Sequence, residues 1–296
     1  MCDDVTEAEN LRWFTGRPMR RRDLGPIGAG AVAAMLPGCA SGAGPEKADT
    51  REIASRTVEI TTADGKADAW FVHPAGARHP AVIMWPDIAG LREAYQVMGS
   101  RLARSGYAVL VVNQYYRSAP APVLSTLAEW MTDAGKEKLK PMIAAITPDG
   151  TARDAAAFVD WLDGQPEVDA TSKVGTCGYC MGGAFTFRTA AERPKRVGAL
   201  ASFHGGGLAT DAADSPHLLI PKMQGALLVA IAQNDDARDP KVKEILRSAA
   251  ETAGRPAEIE VYPAQHGWCT IDAPVHDGEQ AEKAWNRMLA TFEKYL

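Results

Sequence analysis

The sequence KVGTCGYCMGGAF, at residues 173–185, decides the fold of this chain. It begins as a short β-branched strand and ends in small residues that can start a helix. Gly178, Cys180 and Gly182 have the Gly-x-Cys-x-Gly spacing of a nucleophile elbow, with cysteine where serine usually stands. The glycines let strand and helix approach closely around a strained central residue. The spacing therefore predicts that Cys180 projects above the sheet edge, with the backbone N–H of Met181 facing a developing oxyanion at a helix start.

Two other interpretations of this stretch stay open. A Gly-x-Cys-x-Gly pattern also occurs by chance, and a buried cysteine is commonly a small apolar filler, which would leave a non-catalytic binding protein on the same fold. Cys177 and Cys180 also form a C-x-x-C motif, which is typical of thiol redox proteins. Such a motif normally opens a helix, whereas Cys177 is predicted to end a strand and to point into the packing. Hydrolysis is the main hypothesis, and redox chemistry is the alternative.

The composition argues against several classes of protein. The 296 residues are 46% hydrophobic and 23% charged, which is ordinary for a soluble globular protein, and the net charge of -5 gives no reason to expect a nucleic acid partner. No apolar run reaches the roughly 18 residues of a membrane span. The five cysteines are too scattered for a disulfide scaffold, and no cysteine or histidine pair recurs at zinc-ligand spacing. We therefore expect no metal and no cofactor.

The N-terminal 50 residues have the pattern of a targeting segment. Three arginines at 20–22 precede a Gly- and Ala-rich apolar stretch at 25–36, which is typical of a secretory signal of the twin-arginine type. The sequence LPGC at 36–39 resembles a lipobox, in which Cys39 would carry the lipid. We expect residues 1–50 to be a signal peptide and tether, and the protein to be periplasmic or a membrane-anchored lipoprotein. A cytoplasmic protein with an N-terminal helix packed on the domain is the alternative.

Residues 51–296 alternate between strand and helix patterns. A predicted hairpin near 58–72 is followed by buried strands at 80–85 and 107–112, with a helix at 92–105 between them. Strand, helix and strand joined by short connections form the unit of a parallel sheet. We therefore predict one α/β domain, with a mostly parallel, doubly wound sheet and helices on both faces. The segment 120–150 breaks the alternation and is predicted to be a helical excursion beside the sheet.

A carboxylate and an imidazole follow the next strands in the order that the chemistry requires. Asp235 follows the strand at 225–232, and His266 follows the strand at 259–262. In α/β-hydrolases the nucleophile, acid and histidine come in this order, just past the carboxyl ends of strands. The imidazole can hold the Cys180 thiolate as an ion pair, and the carboxylate fixes the imidazole tautomer. The other histidines are weaker candidates by position: His73, His79, His204, His217 and His276.

These motifs resemble those of the dienelactone hydrolase family. The resemblance rests on residues 178–183, Asp235 and residues 266–267, and it extends to residues 85–91 and 113–117. It covers essentially residues 53–296. Known members hydrolyse cyclic enol lactones through a Cys-Asp-His triad. The resemblance implies an α/β-hydrolase fold and a carboxymethylenebutenolidase-like hydrolase that acts on a small, carboxylate-bearing ester or lactone through a thioester. The other expected partners are a membrane, only if Cys39 is lipidated, and at most a second copy in a homodimer.

The resemblance also implies roles for residues outside the triad. An acidic residue at the position of Asp87 interacts with the nucleophile, and the following residue, Ile88, donates the second oxyanion N–H. Arg117 corresponds to an arginine that binds the substrate carboxylate. Tyr115 and Trp268, which lie in the same motifs, are expected to contribute to substrate binding.

Two positions depart from the pattern of the family. The best-studied members have glutamate where this chain has Asp87, which is one methylene shorter. A second substrate-binding arginine is expected four residues after the histidine, where Thr270 stands.

Overall fold

The computed structural model describes Thr6, Glu9, Asn10 and residues 51–296. The predicted signal peptide, tether and lipobox, with Cys39, otherwise lie outside the described residues. Their roles stay predictions.

One eight-stranded sheet runs through residues 51–296, in the order β1-β2-β4-β3-β5-β6-β7-β8. Strand β2 is antiparallel to both of its neighbours, β1 and β4, and every other neighbouring pair is parallel. The strands are β1 (Ile53–Thr62), β2 (Gly65–Pro74), β3 (Ala81–Trp85), β4 (Ala108–Val112), β5 (Val174–Tyr179), β6 (Val197–Phe203), β7 (Ala226–Ala232) and β8 (Ala257–Tyr262).

Helices cover both faces of this sheet. They are α1 (Glu93–Arg104), α2 (Leu127–Trp130), α3 (Asp133–Ala144), α4 (Pro148–Asp163), α5 (Met181–Glu192), α6 (Gln233–Arg238), α7 (Val242–Thr252) and α8 (Gly278–Tyr295), with a 3-10 helix at Pro216–Lys222. On one face α1 and α8 pack on the sheet, and on the other face α4, α5 and α7 do so. The predicted doubly wound, mostly parallel sheet is confirmed.

Burial explains why these segments form strands. Every residue of β3, β4, β5 and β7 is buried, because helices cover both faces of the sheet at its centre. Alternate residues of each strand therefore enter two separate cores: Ile83 and Trp85 pack towards α4, while Val82 and Met84 pack towards α1 and α8.

The predicted helical excursion is present as α2 and α3. Its apolar side chains pack with the loop after β3, where Ile88 and Ala89 are buried against Leu124 and Leu139. One boundary differs from the prediction, because α4 begins at Pro148, inside the segment 120–150 that was assigned to the excursion. Proline suits the first turn of a helix, where its missing N–H would have no intrahelical acceptor.

Candidate active site

Cys180 lies on the sharp turn between β5 and α5. Its φ of +54° is in the left-handed region, which costs a non-glycine residue about 1–3 kcal/mol. The motif glycines have no room for a side chain: a Cβ on Gly178 would lie 2.1 Å from the carbonyl oxygen of Gly182, and a Cβ on Gly182 would lie 2.4 Å from that of Trp85. The Cys180 N–H donates to the carbonyl oxygen of Phe203 at 3.1 Å. The turn therefore has the geometry of an elbow.

His266 and Asp235 follow the ends of β8 and β7 and meet beside Cys180. His266 Nδ1 and Asp235 Oδ2 are 2.7 Å apart, so Nδ1 carries a proton and donates it to the carboxylate. The imidazole also hydrogen-bonds with the Cys180 side chain. Burial opposes the positive charge, but Asp235 and Cys180 outweigh burial and raise the pKa of His266 to about 10. The surroundings favour an imidazolium–thiolate pair.

The loop that carries His266 is anchored through its backbone. The backbone N–H of His266 donates to Asn234 Oδ1 at 2.8 Å, and the N–H of Gln233 donates to the carbonyl oxygen of Ala264 at 2.9 Å. The carbonyl oxygen of His266 accepts a hydrogen bond from Asn10 Nδ2 at 2.6 Å. Asn10 was not among the predicted site residues, because residues 1–50 were assigned to the targeting segment.

The peptide group between Asp87 and Ile88 has a fixed orientation. The Asp87 carbonyl oxygen accepts hydrogen bonds from the N–H of Gly90 at 3.0 Å and from Gln114 Nε2 at 2.7 Å. In a trans peptide the N–H points away from the carbonyl oxygen, so the Ile88 N–H faces the opposite direction. The Tyr115 hydroxyl donates to the Ile88 carbonyl oxygen at 2.7 Å and holds the next peptide as well.

A second N–H group comes from Met181, the first residue of α5. The first N–H groups of a helix have no intrahelical acceptor and lie at the positive end of its dipole. Gly182 brings this helix start against the backbone of Trp85 and Pro86, just before Ile88. The arrangement suits an oxyanion hole formed by the N–H groups of Ile88 and Met181.

Asp87 belongs to a buried ion-pair network that no sequence motif predicted. Arg92 is 2% exposed and donates two hydrogen bonds to the carboxylate of Asp87, at 2.7 and 3.0 Å. Its other edge donates two to Asp272, at 2.8 and 2.7 Å. Asp272 also accepts from the N–H of Leu127, at 3.1 Å. The network therefore ties the loop after β3 to the loop after His266 and to α2, a link between distant parts of the chain that no local motif signals.

Asp87 also lies close to the nucleophile. It lines the same cavity as Cys180, and burial raises the pKa of its carboxyl despite the pairing with Arg92. Its hydrogen bonds, however, go to Arg92 and to the N–H of Ala89. A direct hydrogen bond from Asp87 to the thiol is not among its contacts in the described part of the chain.

The structure does not bring Arg117 to the cavity. Its guanidinium donates to Asp154 Oδ2 at 2.7 Å and to Asp64 Oδ2 at 2.6 Å. The positive charge of Arg117 is thus paired with two carboxylates that are not among the cavity-lining residues that the structure describes. This arginine joins the β1–β2 turn to α4, and the expected binding of a substrate carboxylate by Arg117 stays a prediction.

Tyr115 and Trp268 are buried beside the site and are not among the cavity-lining residues that the structure describes. Both are buried, and the hydroxyl of Tyr115 is engaged with Ile88. Trp268 stacks on Tyr262 with ring centroids 5.3 Å apart and meets His204 edge-on at 5.2 Å. In this structure both side chains have packing roles, and their expected contact with substrate stays a prediction.

Cys177 lies in the core rather than in the site. It is a free thiol, fully buried in the core on the α1 and α8 face, and burial raises its pKa. A thiolate at this position is disfavoured, which does not suit a redox partner for Cys180.

A cavity that opens to solvent adjoins Cys180 and His266. Its walls are mostly apolar and come from the α2 segment and from the loop after His266, through Leu127, Trp130, Met131, Ala273, Pro274 and Val275. Thr6 and Asn10 also line the cavity. The predicted excursion therefore forms one wall of the cavity, and the N-terminal residues contribute to another.

The described residues form neither a cluster of metal-ligating side chains nor a membrane-spanning helix. No three His, Cys, Asp or Glu side chains come together in that part of the chain as a metal site would require. Within the same residues, no helix combines the length and the apolar character needed to cross a bilayer.

The sheet, the elbow and the order of the acid and the histidine define an α/β-hydrolase. The sequence model of the dienelactone hydrolase family matches residues 67–296, and the chain therefore belongs to that family. It is a hydrolase of the carboxylic-ester type.

Relatives and solved structures agree with this placement. The carboxymethylenebutenolidase of Rhodococcus opacus is 25% identical over 221 residues, covering 73% of this chain and 81% of the relative. A provisionally named carboxymethylenebutenolidase of Methylorubrum extorquens is 24% identical over 254 residues, covering 83% of each chain. The crystal structure of a provisionally named dienelactone hydrolase from Klebsiella pneumoniae has a TM-score of 0.72 at 23% identity, covering 82% of this chain and 100% of that one.

Proposed function

We propose that the protein hydrolyses an ester or lactone of a small substrate, with Cys180 as nucleophile and a thioester as intermediate. One observation carries the proposal: an unbroken line of contacts runs from the Cys180 side chain through His266 to Asp235. The raised pKa of His266 supports a Cys180 thiolate at neutral pH, where a free thiol with a pKa of about 8.5 is mostly protonated.

The reaction follows from these groups. The thiolate attacks the carbonyl carbon, and the N–H groups of Ile88 and Met181 stabilise the oxyanion. His266 gives its proton to the leaving alkoxide, which departs as the alcohol or stays attached as the opened end of a lactone. His266 then takes a proton from water, the hydroxide attacks the thioester, and the acid leaves as Cys180 is restored. Asp235 stabilises the imidazolium in both steps.

The cavity argues for a substrate without a carboxylate. The substrate carboxylate expected from the resemblance has no Lys or Arg among the lining residues that the structure describes. The lining is instead mostly apolar, and Arg92, which lies near Asp87, is already engaged by two carboxylates. We therefore favour neutral esters and lactones over acidic ones.

Steady-state hydrolysis tests the proposal. We expect the purified protein to hydrolyse 4-nitrophenyl esters and small lactones, and Cys180→Ala to lose at least about 1,000-fold in kcat/KM, as expected when a nucleophile is removed. Cys177→Ala is the matched control, since this second buried thiol lies outside the site, and it should keep the activity. Unchanged hydrolysis by Cys180→Ala would overturn the mechanism. Loss of activity in Cys177→Ala, together with a reversible Cys177–Cys180 disulfide, would favour the redox alternative.

We also propose export, directed by residues 1–50, with cleavage before Cys39 and lipid attached to that residue, so that the contacts of Thr6, Glu9 and Asn10 belong to the uncleaved chain. The support is the sequence pattern of arginines, apolar stretch and lipobox. Cell fractionation with Cys39→Ala tests both parts. A membrane-bound wild type and a released variant are expected, and a cytoplasmic wild type would contradict the proposal.

A further inference from the structure

His204 ends the strand next to the nucleophile and lies against Cys180. It follows β6 directly, has a φ of +41° and is fully buried. Its Nδ1 accepts a hydrogen bond from the backbone N–H of Cys180 at 3.1 Å. The same N–H also donates to the carbonyl oxygen of Phe203. His204 also lines the cavity that holds Cys180 and His266.

This contact determines where the imidazole of His204 carries its proton. Because Nδ1 accepts a hydrogen bond, the neutral ring is protonated at Nε2, which is therefore a donor. Nε2 is buried and has no hydrogen-bond partner among the residues that the structure describes. A buried donor without an acceptor destabilises a fold, so its presence at a catalytic cavity calls for an acceptor that arrives with the substrate.

The neighbours of His204 hold the ring in place and keep it neutral. Its centroid lies 5.0 Å from that of His266, 5.2 Å from that of Trp268 and 6.1 Å from that of Tyr179. Burial, followed by the charge of His266, lowers the pKa of His204 well below its usual value. The group therefore offers a neutral N–H and no positive charge.

The sheet order shows which part of a substrate meets this donor. Strand β5, which leads to Cys180, lies between β3, which leads to Ile88, and β6, which leads to His204. An acyl carbonyl whose oxygen points towards Ile88 therefore has its other substituents on the side of His204 and His266. Since His266 protonates the leaving group, the acyl chain is the part that faces His204.

We propose that His204 is a specificity-determining residue, whose Nε2–H donates to a neutral oxygen on the acyl carbon next to the scissile carbonyl, two bonds from the carbonyl carbon. The favoured substrates are accordingly esters and lactones of 2-alkoxy, 2-hydroxy or 2-oxo acids. This inference rests on the proposed hydrolysis through Cys180 and adds the substrate class.

A matched pair of substrates tests the inference. 4-Nitrophenyl methoxyacetate and 4-nitrophenyl butyrate have the same length and leaving group and differ by one oxygen in place of a methylene. The quantity to measure is the ratio of their kcat/KM values, divided by the ratio of their rates with a free thiol such as 2-mercaptoethanol, which removes the difference in intrinsic reactivity. The wild type should give a value well above 1. His204→Phe should lower it by about 3- to 10-fold, the effect of one neutral hydrogen bond.

Each other outcome has a definite meaning. His204→Gln keeps an N–H donor and should retain more of the preference than His204→Phe, with circular dichroism to verify that both variants fold. Equal losses on both substrates in His204→Phe would show a purely structural role and overturn the inference. A corrected kcat/KM ratio near 1 for the wild type would overturn the inference by itself, even if the variants do not fold. If the folded wild type hydrolyses neither ester, the proposed function itself has failed.

Discussion

At the scale of single residues, the charge state of His266 controls the nucleophile. Asp235 and Cys180 overcome burial and raise the pKa of His266 to about 10, so the imidazolium is present at neutral pH. Asp235→Asn removes one of these charges. We expect the pKa of His266 to fall, less Cys180 to be thiolate at pH 7, and alkylation by iodoacetamide at that pH to slow by about 10- to 100-fold.

The neighbouring carboxylate provides the control for this experiment. Asp236 pairs with Lys243, at 2.7 Å, rather than with the imidazole. Asp236→Asn should therefore leave the pH profile of alkylation unchanged. Identical profiles for Asp235→Asn and the wild type would show that Asp235 does not set the protonation of the site.

The same raised pKa predicts how stability depends on pH. The unfolded histidine has a pKa near 6.5, so the folded state binds the proton more tightly between about pH 6.5 and 10. The resulting stabilisation is complete below about pH 6.5 and is lost as the pH rises through 10. Urea denaturation of the wild type and of His266→Gln should therefore give free energies of unfolding that differ less as the pH increases. A difference that grows with pH would contradict the assignment.

At the scale of elements, the Asp87–Arg92–Asp272 network fixes the loops around the cavity. Arg92→Met would leave the carboxylates of Asp87 and Asp272 without their partner, which should lower the free energy of unfolding by about 3–5 kcal/mol. Arg153→Met is the control, because Arg153 is half exposed in its ion pair with Asp64 and should cost about 1 kcal/mol or less. Similar costs in chemical denaturation would mean that the network contributes little.

The contact between α5 and the loop after β3 gives a second prediction at this scale. A Cβ on Gly182 would lie 2.4 Å from the carbonyl oxygen of Trp85, so Gly182→Ala must separate the two N–H groups of the oxyanion hole. We expect a loss of about 100-fold or more in kcat, similar to that from a missing oxyanion donor. Gly278→Ala has open space around its Cβ and should keep full activity. Full activity in Gly182→Ala would contradict the placement of the hole.

The elements also show what the sequence could predict. Apolar runs identified β3, β4 and β7 because burial on both faces leaves a continuous signal. Cys180, Asp235 and His266 were predicted because each follows the carboxyl end of a strand, and these ends meet along the same side of the sheet. The ion pairs of Arg117 and Arg92 were not predicted, since the partner of an arginine depends on which loops meet in space.

At the scale of the whole molecule, the N-terminal residues reach the cavity from the far end of the chain. Arg238 donates to Thr6 and Glu9, and Asn10 donates to the carbonyl oxygen of His266. In the uncleaved chain, removal of residues 1–10 should widen the cavity. We expect the ratio of kcat/KM for 4-nitrophenyl octanoate to that for the acetate to rise several-fold.

A milder change separates this effect from a general disturbance. Glu9→Gln keeps the chain intact and weakens its ion pair with Arg238, so the ratio should rise in the same direction but less. An unchanged ratio in the truncated protein would show that these residues do not limit access.

The central claim is that the sulfur of Cys180 becomes covalently acylated during turnover. Intact-protein mass spectrometry after rapid acid quench, during turnover of 4-nitrophenyl butyrate, tests it most directly. We predict one butyryl group on the wild-type chain, located on Cys180 after digestion, and none on Cys180→Ala. A fully active wild type whose acyl group lies on another residue would contradict the account.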